Sequence, residues 1–391
     1  MIHRPFGEIM ILPEKCLRIR IGCVCAGYPD YSVRQSIPEK WLLTKPLYRT
    51  ERTFVKKSFA EPEWTTGRIP GYNSVQVKKQ DGGGQRMKYD LICIGMALVD
   101  SMIMGFDPVP VSASGYRAES GSLCAGGEAV NASVAAAKLG LKTGILCALG
   151  ADPAGEIVRN ELRRNGVDTS LAVGSPGTPV TTMFVRADGT RRSVTNQAHR
   201  YNFHPEKESD RFTDAKALLL GSLFRAPFDD PEVIYSVVSS AKAAGQLVVA
   251  DTKLPNFRFL SLKDISDSLP LIDIITPNED EARFFTGKDD PEEMADAFLS
   301  YGVRRVLIKL GSKGCLMKDD THFLRLPAVP VDPVDATGAG DNFAAGFVSE
   351  ILRGAPAEDA LRFANACGAI CTTAAGAGTA LKGRDQVLQL L

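Results

Sequence analysis

Nowhere in this 391-residue sequence do about 18 apolar residues run together, so no membrane-crossing helix is expected. Charge of one sign is not in excess either. The 46 Lys and Arg balance 46 Asp and Glu, so no broad field draws nucleic acid or an anionic membrane. A G-x-x-x-x-G-K-[ST] run is missing, which excludes a P-loop nucleotidase as far as a motif can. A G-x-S-x-G elbow is missing too. The four histidines (His3, His199, His204 and His322) fall in irregular or strand-edge contexts, against a histidine-based hydrolase. Cysteine has no framework, since the nine copies are odd in number and scattered. Cys93, Cys147 and Cys315 lie in apolar, strand-like runs, and Cys367 and Cys371 in a small-residue helix. Buried reduced thiols of this kind point to a cytoplasmic protein. Cys367 and Cys371 are spaced i, i+4 and could grip a metal. No histidine or second cysteine pair accompanies them, which favours core packing.

Tryptophan is scarce, and both copies, Trp41 and Trp64, precede residue 87. Charge breaks at the same place. Residues 1–86 hold 15 Lys and Arg against 8 Asp and Glu, net +7, which leaves 31 against 38, net −7, for residues 87–391. The first part has no sustained periodicity and no apolar core followed by a small-residue cleavage site, so export is not expected. The junction "DGGGQRM" places three glycines, whose codons are G-rich, just before Met87, as a ribosome-binding site translated in error would. The expectation is a natural start at Met87 with residues 1–86 non-native. The alternative is a genuine, poorly ordered arm.

From Met87 onward strands alternate with helices. "YDLICIG" (89–95) reads as a buried strand ending at glycine, "NASVAAAKLG" (131–140) as a helix, "KTGILCALG" (142–150) as the next strand and "GEIVRNELRRNG" (155–166) as the next helix. "AKALLLGSLF", "GQLVVADT" and "IDIITPN" are further apolar strands, and "VRRVLIKLGSKGCLMKDD" is a strand, a glycine turn and a strand. Such alternation predicts an α/β fold, a mostly parallel sheet with helices on both faces. Segments at about 100–125 and 181–195, the latter turning at Asp188-Gly189, read as exposed hairpins of a small extra sheet, a candidate lid. Ligands of parallel sheets bind at the carboxyl ends of the strands. Those ends carry Asp100, Asp251, Asn278, Gly311 and the 338–341 loop.

Three constellations there could carry chemistry. Gly338-Ala339-Gly340-Asp341 leaves backbone N–H groups bare where the helix "NFAAGFVSEILRG" begins, a place that attracts phosphate. Asp341 is then either a base for an attacking hydroxyl or an ordinary N-cap. In "CAGGEAVNAS", Gly126 and Gly127 permit close approach of a ligand, and Asn131, opening a helix, offers a donor and an acceptor suited to vicinal hydroxyls; a plain glycine hinge is the alternative. In "TPNEDEARFFTG", Asn278 and Glu281 can face one point and suit hydrated magnesium and phosphate, or merely complement the helix dipole.

"AGGEAVNASVAAAKLGLKTGILCALGADPAG" and "DATGAGDNFAAGF" resemble the two signatures of the ribokinase-like, pfkB-type carbohydrate kinases, in the right order and at the right separation. "TPNEDE" is similar to that family's N-x-x-E magnesium motif, and "IKLGSKG" to its nucleotide-binding strand turn. The resemblance spans Tyr89 to about Lys382. It implies a three-layer α/β/α domain over 87–391 with a β-sheet lid, and ATP-dependent phosphorylation of a sugar hydroxyl.

Residue by residue, the resemblance makes Asp341 the general base and Gly338, Ala339 and Gly340 the donors to the transferring phosphoryl group. Asn278 and Glu281 would organise Mg-ATP, with Glu281 reaching the metal through water. Gly311 would lie under the nucleotide and Asn365 beside the adenine. Asp100, Gly126, Gly127 and Asn131 would hold the sugar. Asp335 and Thr337 match a loop that binds a monovalent cation such as K+ in some members, and lid sheets of the family often pair into homodimers. Three positions depart from the pattern. Leu98 stands where ribokinase proper has asparagine, so ribose is not the safe guess. Lys309 replaces a common threonine, and would neutralise an ATP phosphate or merely cover a strand edge. Arg225 would read a carboxylate or phosphate on the substrate, or be a solvated strand-end charge. A nucleoside, sugar acid or sugar phosphate as acceptor, and a catalytically silent sugar or nucleotide sensor, are the competing readings.

Overall fold

The computed structural model describes residues 87–105, 118–186, 191–196 and 203–391. The expectations for residues 1–86 and for the Asp188-Gly189 turn lie outside these residues.

The chain enters by β1 (Tyr89–Ile94) and leaves the main layer through β2 (Leu98–Met104) and β3 (Ser120–Gly126). It returns by α1 (Glu128–Lys138) to β4 (Thr143–Leu146), then passes β5 (Ala148–Gly150), α2 (Pro153–Arg164) and β6 (Val173–Ser175). β7 (Val180–Val185) and β8 (Arg191–Thr195) form a second excursion, followed by the one-turn α3 (Ser209–Phe212). Next come β9 (Ala215–Leu223), α4 (Pro231–Ala243), β10 (Leu247–Thr252), the two-residue β11 (Ile274–Ile275), α5 (Glu279–Thr286), α6 (Pro291–Ser300) and β12 (Arg305–Lys309). β13 (Cys315–Asp319) and β14 (Phe323–Leu326) lead to α7 (Ala339–Leu352), α8 (Ala357–Cys371) and α9 (Arg384–Leu388).

Eight strands form one sheet in the order β14-β13-β12-β11-β10-β9-β1-β4. It is parallel from β12 to β4, while β13 runs against both its neighbours. The period-two alternation of a strand sorts its side chains to two faces. Leu91, Cys93, Ala217 and Leu219 pack with α1, α7 and α8, whereas Ile92, Ile94, Leu218 and Leu220 pack with α4 and α6. Both faces are therefore covered, and the layers are α/β/α as expected.

β3-β2-β7-β8 make the separate small sheet, mixed in direction, with β3 at an edge and largely exposed. This is the lid. Against the main body, α7 and α8 lie close because Gly346 has no side chain: a Cβ there would stand 2.8 Å from the Cys367 sulfur. Cys367 and Cys371 are buried and free, and no cluster of three metal-binding side chains occurs among the described residues. No helix among these residues is long and apolar enough to cross a membrane.

Candidate active site

Asp341 is not a helix cap. The N-cap of α7 is Gly338, whose φ of 78° is left-handed, and whose Cβ, if present, would meet that of Ala377 at 2.2 Å. Only glycine lets this turn form against the neighbouring loop. Asp341 is the third residue of α7, 5% exposed, and its Oδ2 accepts a hydrogen bond from Asn131 Nδ2 at 2.8 Å. Burial pushes its carboxyl up to about 7, and Asp251 and Glu128 add to the shift while Lys253 and Asn131 oppose it. Such a carboxylate is poised to accept a proton near neutrality. The Ala339 amide is turned back to the Ala336 carbonyl (3.2 Å), while those of Gly340 and Asp341 have no backbone acceptor among the described residues. Of the donors expected at this loop, Ala339 is thus already committed, and the amide of Asp341 itself is open beside that of Gly340.

Asn131 lies inside α1 rather than opening it. The helix starts at Glu128 because Gly127, at φ 97°, turns the chain one step earlier, and the Asn131 amide already donates to the Gly127 carbonyl. The shift aims the Asn131 side chain at Asp341.

At the ends of β10, β11 and β12 a buried polar network replaces the simple pair expected from Asn278 and Glu281. These two form a reciprocal capping box at the start of α5. Glu281 is nevertheless 4% exposed and also accepts from Thr252 Oγ1 at 2.8 Å. Burial raises its carboxyl, with Asp251 adding to the effect and Lys309 opposing it. Asp251 Oδ1 accepts from Lys309 Nζ (2.5 Å) and Thr276 Oγ1 (2.7 Å), yet the buried Oδ2 has no hydrogen-bond partner. An unpaired buried carboxylate oxygen is costly unless something polar completes it. Hydrated magnesium suits that oxygen and Glu281.

Lys309 covers no strand edge. It lies within 2.9 Å of where a Gly340 Cβ would stand, so its ammonium faces the glycine loop. Lys309, Gly311, Gly340, Phe343 and Asn365 line one cavity of about 540 Å³, within the range of nucleotide-sized ligand sites. Gly311 has a left-handed φ of 58° with open space where its side chain would be. Asn365 holds the far wall by donating to the Pro327 carbonyl at 2.7 Å.

Asn131 links Asp341 to the lid, since it lines one cavity with Leu123, Cys124 and Ala125 of β3. Asp100 is in the middle of β2, a lid strand, and not at an end of the main sheet. Burial, helped by Glu128, pushes its carboxyl up to about 6. A Cβ on Gly126 would stand 2.1 Å from Asp100 Oδ2, and one on Gly127 would stand 2.4 Å from the Met96 carbonyl oxygen. Both glycines therefore make room for the site. Arg225 donates through Nε to the Leu254 carbonyl at 2.7 Å.

A family model described as pfkB family carbohydrate kinase matches residues 95–383. The chain belongs to the pfkB family of carbohydrate kinases. It is 30% identical over 276 residues to a ribokinase of Haemophilus influenzae, covering 68% of this chain and 87% of that one. It is 29% identical over 325 residues to a probable fructokinase-7 of Arabidopsis thaliana, covering 77% and 92%. Among solved structures, the Arabidopsis thaliana ribokinase complexed with ribose and ATP aligns with a TM-score of 0.68 at 26% identity, covering 77% of this chain and 98% of that one.

In this pfkB kinase Asp335 and Thr337, the residues expected at a monovalent cation, join two loops. Asp335 Oδ1 accepts from the Thr337 amide and hydroxyl, and Oδ2 accepts from the Gly376 amide. Both oxygens are engaged, so Asp335 acts as a clasp between the two loops. Three site groups escaped the sequence reading in whole or part. Asp251 was visible only as a strand end, while Glu128 and Lys253 carried no signal. Lys253 Nζ is 3.8 Å from Glu128 Oε1. Burial alone would lower its ammonium, but Glu128, Asp341, Asp251 and Glu281 outweigh burial and raise it.

Proposed function

We propose that this pfkB kinase transfers the γ-phosphoryl group of Mg-ATP to a hydroxyl of an uncharged monosaccharide, with Asp341 as general base. The observation that carries the reading is the buried Asp341 carboxyl, near neutrality in affinity for a proton, between a nucleotide-sized cavity and the lid. The sugar hydroxyl gives its proton to Asp341, its oxygen forms the new bond to phosphorus, and the bond to the departing ADP oxygen breaks. The open amides of Gly340 and Asp341 receive the charge that develops on the phosphoryl oxygens. Lys309 and Gly311 seat the phosphates, and Asn365 borders the adenine. Asp251 and Glu281 would hold hydrated magnesium, whose charge would neutralise phosphate oxygens. No step here uses K+.

On the acceptor side, Asp100, Gly126, Gly127 and Asn131 are assigned to the sugar. Asp100, Glu128 and Asp341 make that side acidic. This weighs against sugar acids and sugar phosphates. A silent sensor would have no use for an elevated carboxyl beside open amides. We further assign catalysis to residues 87–391, the location to the cytoplasm, where ATP is supplied, and a homodimer contact to the lid, whose β3 edge is exposed.

Asp341→Asn tests the reading. Turnover is expected to fall roughly 10²–10⁴-fold, with sugar and nucleotide affinities by calorimetry changed less than about threefold, because the amide keeps the shape and an acceptor for Asn131. Turnover within tenfold of wild type would contradict it.

A further inference from the structure

Lys253 has no part in the roles above, yet it stands at their centre. It follows directly after β10, whose end belongs with the nucleotide-side set of Asp251 and Glu281, and its ammonium lies 3.8 Å from Glu128, which with Asp341 makes the acceptor-side set. A phosphoryl group leaving the nucleotide cavity for a hydroxyl at Asp341 must pass between these two sets. The other lysine of the site, Lys309, pairs with Asp251 at 2.5 Å and faces the glycine loop on the nucleotide side. Lys253 is held more loosely. Its 3.8 Å approach to Glu128 is too long for a hydrogen bond, and its side chain keeps 30% exposure. An ammonium parked by charge alone can move when a stronger anion arrives.

Phosphoryl transfer spreads charge over three equatorial oxygens in a loose transition state, and fixed cations there act on the rate more than on ground-state binding. We propose that Lys253 is a catalytic residue of the transfer, leaving its resting partner Glu128 to contact the equatorial oxygens of the γ-phosphoryl group as it passes to the sugar. The proposal rests on the kinase reading but not on Asp341 being the base.

Lys253→Met and Lys253→Gln in the full chain test it, measured beside Asp341→Asn. Both Lys253 variants are expected to lower kcat about 10²–10³-fold, with KM for sugar and for ATP within about threefold. They should also bind ADP with aluminium fluoride and magnesium at least 30-fold more weakly than wild type, while binding of magnesium ADP stays within threefold. Lys253→Arg, which keeps the charge, should recover most of the fluoride affinity. Wild-type fluoride affinity in either neutral variant would overturn the proposal, as would equal losses for magnesium ADP and its fluoride complex. Because the fluoride readout needs no acceptor, it separates this failure from a failure of the sugar or base assignment, which Asp341→Asn reports.

Discussion

Asp341 and Asp100 titrate in a range where few carboxyls do, and the cause in both cases is burial, which penalises the charged form. A general base works only when ionised. For the free enzyme, log kcat/KM is therefore expected to be flat above about pH 7, to fall with unit slope below about 7 and to steepen below about 6 as Asp100 protonates. A plateau reaching down to pH 5 would contradict both assignments. The sequence left Asp341 as either a base or an N-cap, and the structure removes the second reading by giving the N-cap to Gly338. Glu128 and Lys253 were not legible, since a lone acid and a lone base in "GGEAV" and "DTKLP" look like ordinary surface charges. Their meaning arises only when α1 and the end of β10 are brought together across a separation of 125 positions in the chain.

At the scale of elements, the alternation of apolar strands and helices was enough to read a parallel sheet with both faces covered, because each strand's two faces meet different helices. Boundaries were harder. α1 starts at Glu128 and not at Asn131, because the left-handed Gly127 already turns the chain there, and backbone sign is not written in an alanine-rich pattern. The placement of Asp100 was also missed. Asp100 was expected at the carboxyl end of a main-sheet strand, but the chain breaks after Ile94 and β2 departs into the lid. The β2–β3 pair then sets Gly126 against Asp100. Gly126→Ala should push that carboxylate aside and raise KM for the sugar at least about tenfold, since a well-placed charged hydrogen bond is worth roughly 1.5–3 kcal/mol. KM for ATP, bound across the site, should stay within about twofold. Unchanged KM for the sugar would show that Asp100 does not touch it.

Across the whole molecule, two lobes of opposite character meet at Asp341. The nucleotide lobe offers open amides, Lys309 and a roomy cavity, a setting for polyphosphate. The lid lobe offers Asp100, Glu128 and Asn131, a setting for hydroxyls and a poor one for anions. The nucleotide side was largely readable in the sequence because glycine turns and the N-x-x-E pair are local in the chain. The acceptor side was less so, because its residues are gathered from β2, α1 and the end of β10 and their summed charge depends on that gathering. The most direct measurement is ATP consumption by the full chain across paired acceptors, each neutral monosaccharide set beside its acid and its phosphate ester. The account predicts turnover with at least one neutral sugar and at least about 100-fold lower kcat/KM for its anionic partners, a difference near 2.7 kcal/mol. Preference for an anionic acceptor, or no ATP consumption with any, would contradict it.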